Sequence, residues 1–86
     1  MRITTTKKFD KKLTKQPPKI KQAFKQRVVL FKENIDNPIL RVHKLSGVLK
    51  ESWSFNVTGD IRVVFDWVDT DMVTLVNIGS HSELYS

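Results

Sequence analysis

Cysteine is absent from the 86-residue chain, and glycine and proline are scarce, with three residues of each. Without cysteine the chain can form neither a disulfide framework nor a thiolate metal site. The two histidines, His43 and His81, lie far apart in the sequence and lack the spacing of paired metal ligands. The residue patterns also give no sign of a nucleophilic triad, a pair of catalytic carboxylates or a glycine-rich phosphate loop. We therefore expect a protein that works without a metal or cofactor.

Long hydrophobic runs are also lacking. No apolar stretch approaches the ~20 residues that a membrane-spanning helix needs, and no hydrophobic segment follows the N-terminal charges, as it would in a secretory signal. These features predict a cytoplasmic protein with no membrane partner. A chain of this length builds one domain, residues 1–86, whose core leaves little room for a deep pocket. Any active site should therefore be an open surface, which suits a large substrate.

Acidic residues are nearly missing from the first third of the chain. Residues 1–32 contain eleven Lys and Arg residues and one acid, Asp10, whereas residues 33–86 contain four basic and eight acidic residues. The local balances of +10 and −4 give the net charge of +6. This segregation predicts a surface for a polyanion or an acidic protein partner. Lysines that only keep a helix pair in solution would produce the same charge, so charge alone leaves both interpretations open.

Two amphipathic helices are predicted in and just beyond this basic third. Thr6 has the residue type of an N-cap, and Phe9 and Leu13 form one apolar stripe among lysines. Pro17 ends this helix, and Pro18 suits the first turn of the next. Apolar residues of the second helix follow helical spacing: Ile20, Ala23, Phe24, Val28, Phe31 and Ile35. We expect the aromatic residues among them to form core.

Four segments have the character of β-strands. Residues 2–5 are short and β-branched, and residues 53–57 alternate apolar with polar side chains. Residues 61–68 are nearly all apolar, as in a central strand, and residues 72–78 form the last strand. Thr58-Gly59-Asp60 reads as a hairpin turn. The predicted order is therefore strand, helix, helix and three antiparallel strands, and a chain of this length has room for one sheet packed on one or two helices.

A charged side chain interrupts the apolar central strand. By alternation Arg62 shares one face with Val64 and Asp66. Ile61 and Phe65 point the other way. If the helices cover the Ile61 and Phe65 face, Arg62 stands on the open face of the sheet. There it could pair with Asp66 along the strand, or present its planar fork of donors to a phosphate.

Three further residues could transfer protons or contact a substrate. His81 follows the last predicted strand, and an imidazole can give or take a proton near neutral pH. Tyr85, the only tyrosine, can stack on a base, donate a proton or pack against the sheet edge. His43 lies in a predicted loop before the hairpin. Taken alone, each histidine is better explained as a solvated side chain.

The order of elements and four short motifs resemble the RelE/StbE and YafQ branch of bacterial type II toxin–antitoxin toxins, in the RelE/ParE superfamily. The motifs are His43-Lys-Leu-Ser-Gly47, Trp53-Ser-Phe-Asn-Val57, Arg62-Val-Val-Phe65 and Ile78-Gly-Ser-His-Ser-Glu-Leu-Tyr85. The resemblance covers essentially the whole chain. It implies an α/β (α+β) RelE-like fold, with two N-terminal helices packed on a twisted, mainly antiparallel four-stranded sheet. It also implies cleavage of mRNA, generally in the ribosomal A site, and neutralisation by a cognate antitoxin. Operator DNA would be contacted only indirectly, through that antitoxin.

The resemblance also implies roles for particular residues. His81 matches a terminal histidine that serves as general acid or base, and Tyr85 stands at a terminal aromatic position. Arg62 matches an arginine that stabilises the scissile phosphate. His43 and Asp60 match a histidine and a hairpin aspartate implicated at YafQ-type sites. Together these residues could supply the base, the phosphate-binding cation and the acid that metal-independent attack by the RNA 2′-OH requires.

The chain departs from the family pattern in two places. YafQ-type enzymes carry a second hairpin histidine where this chain has Asn56, which cannot shuttle protons. Typical RelE sites use lysines in the hairpin strand, and here only Lys50 lies nearby. The implied site is thus a hybrid. Contacts with RNA or the ribosome are expected from basic residues on the first helix and near the hairpin: Lys7, Lys8, Lys11, Lys12, Lys44 and Lys50.

Two other functions fit the same sequence. A ParE-like toxin that inhibits gyrase would share the fold, since fold does not decide function. No proton-transferring histidine is expected at the tail of such a toxin, so His81 argues against it. A catalytically inactive homologue that acts with its antitoxin to control transcription is favoured by Asn56.

Overall fold

The computed structural model describes residues 1–46 and 51–85. Its elements are β1 (Arg2–Thr5), α1 (Lys7–Thr14), α2 (Pro18–Glu33), a short 3-10 helix (Pro38–Leu40), β2 (His43–Lys44), β3 (Trp53–Asn56), β4 (Ile61–Asp69), β5 (Met72–Ser80) and α3 (His81–Tyr85). Both N-terminal helices and all four expected strands are present. Within these two ranges, no helix is long and apolar enough to cross a membrane.

The strands form one sheet in the order β1-β5-β4-β3-β2. β1 runs parallel to β5, and the other neighbouring strands are antiparallel. The prediction of four strands is wrong, because His43 and Lys44 form a fifth strand at the edge instead of a loop. Two residues are too few to show an alternating pattern. His43 and Lys44 form a strand because they pair with Ser54 and Trp53 of β3.

The two N-terminal helices begin where the sequence indicates. Thr6 caps α1, and its Oγ1 accepts a hydrogen bond from the amide of Phe9 at 3.1 Å. Pro18 opens α2, where its missing amide hydrogen costs nothing because first-turn amides have no partner within the helix. Local signals therefore determine both helix starts.

Aromatic side chains from the helices and the sheet form the core. Phe31 of α2 stacks on Phe55 of β3 with ring centroids 4.8 Å apart. The edge contact between Phe31 and Phe65 of β4 has centroids 5.1 Å apart. All three rings are fully buried, as is Phe9 of α1. The opposite face of β3, β4 and β5, which carries Arg62, is here called the open face.

β5 changes the face to which its side chains point. Leu75 and Ile78 both lie in the core although they are three residues apart. Val76 is the extra residue, because the pairing with β4 skips it to form a β-bulge. The bulge places Asn77 and Gly79 on the open face, together with the candidate site residues.

Candidate active site

Arg62 lies in the middle of a row of residues that crosses the open face. The sheet register places Asn56 of β3 on one side of it and Gly79 of β5 on the other. Directly paired residues carry their side chains on the same face. A Cβ at Gly79 would lie 3.3 Å from Glu83 Oε1 and 3.4 Å from Lys12 Nζ. The glycine therefore lets α1 and α3 approach the sheet closely beside Arg62.

His43 belongs to the neighbouring row, two strands away from Arg62. It pairs with Ser54, and its Nε2 lies 3.4 Å from Ser54 Oγ. Its Nδ1 lies 2.7 Å from the carbonyl oxygen of Arg41, which orients the ring. Adjacent strands are about 4.8 Å apart, so β2 and β4 are separated by roughly 10 Å. His43 and Arg62 can therefore act together only through a bound substrate that reaches both.

α3 begins directly after β5 and carries both His81 and Tyr85. A capping box starts this helix: the Ser80 amide donates to Glu83 Oε1 at 2.9 Å, and the Glu83 amide donates to Ser80 Oγ at 3.2 Å. His81 is exposed. Its ring makes an edge contact with the ring of Tyr85, with centroids 4.6 Å apart. The imidazole thus has a defined position at the end of β5.

Three buried polar atoms among the described residues have no hydrogen-bond partner, and all belong to residues of the candidate site. They are Asn56 Oδ1, Arg62 Nε and Tyr85 Oη. A buried polar group without a partner costs about 1–3 kcal/mol, so it calls for an explanation. Asp66 is not a hydrogen-bond partner of Arg62 Nε; its Oδ1 accepts from Ser52 Oγ at 2.6 Å. Each of the three atoms is buried, so a group from outside the chain reaches it only when neighbouring side chains move aside.

α1 brings two of the four predicted lysines to the open face. Lys12 Nζ donates to Asn77 Oδ1 at 2.8 Å. Lys8 lines a cavity of about 350 Å³ to which α3 and the sheet also contribute. Lys7 and Lys11 are exposed on α1. Positive charge therefore borders the open face along this helix.

Other predicted site residues do not join this group. Lys44 pairs with Trp53, which packs against the core, so Lys44 lies on the helix-covered face. Asp60 is exposed in the hairpin turn, where its amide donates to Thr58 Oγ1 at 3.3 Å. Lys50 and the end of the His43 motif lie outside the described residues. Arg62 itself pairs with Gly79, two residues before His81, and lines a cavity together with the hairpin residues Thr58 and Gly59.

The complete chain, residues 1–86, matches the family model for YafQ, a bacterial toxin of type II toxin–antitoxin systems. The chain belongs to the YafQ family. This confirms the family resemblance that the sequence motifs indicated.

Solved structures of other bacterial toxins have a similar fold. YafQ from Escherichia coli BL21(DE3) has a TM-score of 0.80 and 19% identity over all of both chains. YafQ in the E. coli DinJ–YafQ complex has a TM-score of 0.77 and 20% identity, again over both complete chains. A metal-bound toxin from Helicobacter pylori has 31% identity and a TM-score of 0.69 over 99% of each chain. A search of curated protein sequences gave no significant match.

The candidate site also contains residues that the sequence patterns did not indicate. Asn77 had no detectable signal, because its partner Lys12 is 65 positions away. The helix α3 did have a sequence signal, since Ser80-His-Ser-Glu83 is a capping-box sequence. In residues 1–46 and 51–85, no three His, Asp or Glu side chains come together as a metal site would require.

The capping box makes the position of α3 sensitive to acid. Hydrogen bonding by the Ser80 amide, and then by its side chain, lowers the pKa of Glu83 from 4.5, and Lys12 adds a smaller attraction. A carboxyl group with a lowered folded-state pKa stabilises the fold above its unfolded pKa and loses this contribution as the pH falls through the folded pKa. We therefore expect α3 to loosen below about pH 4.5. The Ser80 amide resonance should report this change in an NMR titration.

Glu83→Gln is the matched control for this titration. Glutamine keeps an oxygen that can accept from the Ser80 amide but has no proton to titrate. The variant should therefore show a flat Ser80 resonance over the same pH range. An identical titration in both proteins would show that another group controls α3.

Proposed function

We propose that this YafQ-family toxin is an endoribonuclease that cleaves mRNA on translating ribosomes through attack by the RNA 2′-OH, without a metal ion. The observation that carries the proposal is the position of Arg62 beside Gly79, two residues before the exposed His81, whose ring contacts Tyr85. Lysines of α1 border the same face of the sheet, and their charge suits a chain of phosphates better than a small metabolite.

Arg62 and His81 are assigned the central roles. The 2′-oxygen attacks the adjacent phosphorus, the bond from phosphorus to the 5′-oxygen breaks, and a 2′,3′-cyclic phosphate and a 5′-OH form. Arg62 stabilises the charge that develops on the phosphate. His81 transfers a proton, either from the 2′-OH or to the 5′-oxygen. Tyr85, which contacts His81, is a candidate for the second proton transfer or for stacking on a base.

His43 and Asp60 are proposed as supporting residues. His43 lies on the other side of β3 from Arg62 and can reach a substrate that extends across the sheet. Asp60 stands in the turn before β4 and can contact an exposed nucleotide. A sparse site of this kind is sufficient if the ribosome orients the mRNA, because positioning alone can lower a barrier by several kcal/mol.

Binding to the ribosome is assigned to the basic surface. Lys7, Lys8, Lys11 and Lys12 on α1 can contact rRNA phosphates, and the affinity should fall as salt rises. Lys44 and Lys50 are proposed as further contacts at the hairpin end. Cytoplasmic ribosomes would then be the place of action.

A cognate antitoxin is the proposed protein partner. YafQ of E. coli has been solved in complex with DinJ. The basic N-terminal third of this chain can bind an acidic antitoxin segment by charge complementarity. Any contact with operator DNA would then pass through the antitoxin.

Arg62→Ala tests the proposed chemistry. The change removes the cation beside the scissile phosphate but no hydrogen bond made by Nε, which has no partner in the fold. We expect cleavage to slow by about 10²–10³-fold, the effect of losing one donor that stabilises a developing oxyanion. Primer extension on mRNA from a translating extract would measure the cuts.

Arg2→Ala is the matched control, because Arg2 is an exposed arginine in β1 at the far edge of the sheet from the hairpin. It should cleave at the wild-type rate. Wild-type protein that produces no cuts in codons would contradict the ribonuclease assignment and favour the inactive, antitoxin-binding homologue. Gyrase inhibition that survives loss of both Arg62 and His81 would instead favour the ParE-like function.

A further inference from the structure

Three arginines from separate parts of the chain line one cavity beside the hairpin turn. The cavity has a volume of about 400 Å³. Arg27 comes from α2, Arg41 follows the 3-10 helix, and Arg62 belongs to β4. Asn56 also lines this space, which we call the arginine cavity. None of the described residues in its lining is acidic, so three guanidinium groups share it without a carboxylate.

Arg27 is held in place without being neutralised. Its Nη1 donates to the carbonyl oxygen of Ile39 at 3.2 Å. A carbonyl group orients a guanidinium but carries no net charge, and most of the five N–H donors stay available. Arg27 is thus a pre-oriented cation at the cavity wall.

Arg41 has an unusual backbone conformation. Its φ is +48°, in the left-handed region that residues other than glycine seldom adopt. Such a conformation costs about 1–3 kcal/mol and is concentrated at functional sites. Arg41 is the C-cap of the 3-10 helix, and its amide donates to the Pro38 carbonyl oxygen at 3.2 Å, so this conformation ends the helix at a residue whose side chain lines the cavity.

The unpartnered atoms of the cavity indicate the chemistry of its ligand. Arg62 Nε is a buried donor that needs an acceptor, and Asn56 Oδ1 is a buried acceptor that needs a donor. A ribonucleotide supplies both, because its phosphate oxygens accept hydrogen bonds and its 2′-OH can donate one. An acidic peptide can also supply both, through carboxylate oxygens that accept and backbone N–H groups that donate. The choice of RNA therefore rests on the proposed function, and an acidic peptide is an alternative outcome of the test.

We propose that the arginine cavity is a second phosphate subsite, which holds the RNA phosphate next to the scissile one while Asn56 accepts a hydrogen bond from a ribose 2′-OH. This inference rests on the proposed function for the identity of the substrate. The RNA then crosses the strands, from His81 at the end of β5, past Arg62, to Arg41 before β2. Asn56, which cannot act as the second histidine of related enzymes, gains a role in binding.

The test measures binding separately from cleavage. Fluorescence anisotropy would follow a labelled single-stranded RNA of about 12 nucleotides, within the usual span of single-strand sites, at several salt concentrations. Arg27→Gln and Arg41→Asn should each weaken binding about ten-fold, as expected for one charge-assisted contact. Each should also reduce the slope of log K against log salt by about 0.7.

The variants are chosen so that the fold survives. Glutamine carries no charge, but its side-chain amide can still donate to the Ile39 carbonyl, so Arg27→Gln is preferred to an alanine substitution. Asparagine tolerates positive φ, which suits Arg41→Asn. Arg2→Gln, which removes the same charge far from the cavity, is the control.

A comparison of RNA with DNA of the same sequence tests the part of Asn56. RNA should bind more tightly to the wild type, and Asn56→Ala should narrow the difference. Equal affinity of the wild type for RNA and DNA would overturn the subsite. So would a slope of log K against log salt that is the same for the cavity variants as for the Arg2→Gln variant. Tighter binding of a glutamate-rich peptide than of RNA, lost in the same variants, would overturn it too and make the cavity a protein-docking site.

The outcomes separate this inference from the proposed function. Weakened RNA binding by the cavity variants of a protein that cuts no mRNA would support the subsite and contradict the ribonuclease. If the protein cleaves mRNA efficiently and the Arg27→Gln and Arg41→Asn changes leave RNA binding unaffected, the ribonuclease is supported and the subsite is contradicted.

Discussion

Replacing His81 by alanine is expected to slow the cleavage of mRNA on translating ribosomes by about 10²–10⁴-fold, the usual contribution of a positioned general acid or base. His81 stands at the end of β5, and its ring is placed by the contact with Tyr85 at 4.6 Å between centroids. Alanine removes the group that carries the proton. It leaves the capping box between Ser80 and Glu83, so α3 should keep its position. Time courses of primer extension would give the rates.

Ser82→Ala is a matched control for this experiment. Ser82 is the exposed neighbour of His81 on the same helix, and its variant should cleave close to the wild-type rate. In cells, His81→Ala should also relieve growth arrest, whereas Ser82→Ala should not. Equal cleavage rates for the two variants would remove His81 from the chemistry.

Replacing Phe31 by alanine is expected to destabilise the fold by about 3–5 kcal/mol, the usual cost of deleting a buried aromatic ring. Phe31 is fully buried and joins α2 to the sheet through Phe55 and Phe65. Small domains have a total stability of only about 5–15 kcal/mol, so this variant should be close to the limit of folding. Urea denaturation followed by tryptophan fluorescence would measure the loss, since Trp53 packs against the core.

Val29→Ala provides the control on the same helix. Val29 is 54% exposed, and its truncation should change stability by no more than about 0.5 kcal/mol. Phe31→Leu should fall between the two, because leucine refills part of the space. A loss for Phe31→Ala within 1 kcal/mol of that for Val29→Ala, roughly the scale of a surface substitution, would show that the aromatic cluster is not the main support of the fold.

The elements that could be predicted from the sequence have local signals. Thr6 and Pro18 indicate where α1 and α2 begin, and the turn around Gly59 separates β3 from β4. β2 could not be predicted, because a two-residue edge strand exists only through its pairing with β3. The helix α3 could have been predicted from its capping box, which lies within four consecutive residues.

Only part of the candidate site could be predicted from the sequence. Alternation placed Arg62 opposite Phe65, and the burial of Phe65 agrees with that placement. The same alternation misplaces the end of β5, because the bulge at Val76 reverses the faces of Asn77 and Gly79. A bulge arises from the pairing of two strands and leaves no pattern in one strand alone.

The sequence by itself determined the two N-terminal helices, the main strands, the orientation of Arg62 and, through its motifs, the family resemblance that the whole-chain match confirms. Capping, alternation and turn chemistry act between residues a few positions apart, so they can be recognised along the chain. Only the tertiary structure decided that Lys12 meets Asn77 and that Arg27 and Arg41 share a cavity with Arg62. These contacts join residues from separate elements, and they depend on how the helices, the bulge and the sheet edge pack together.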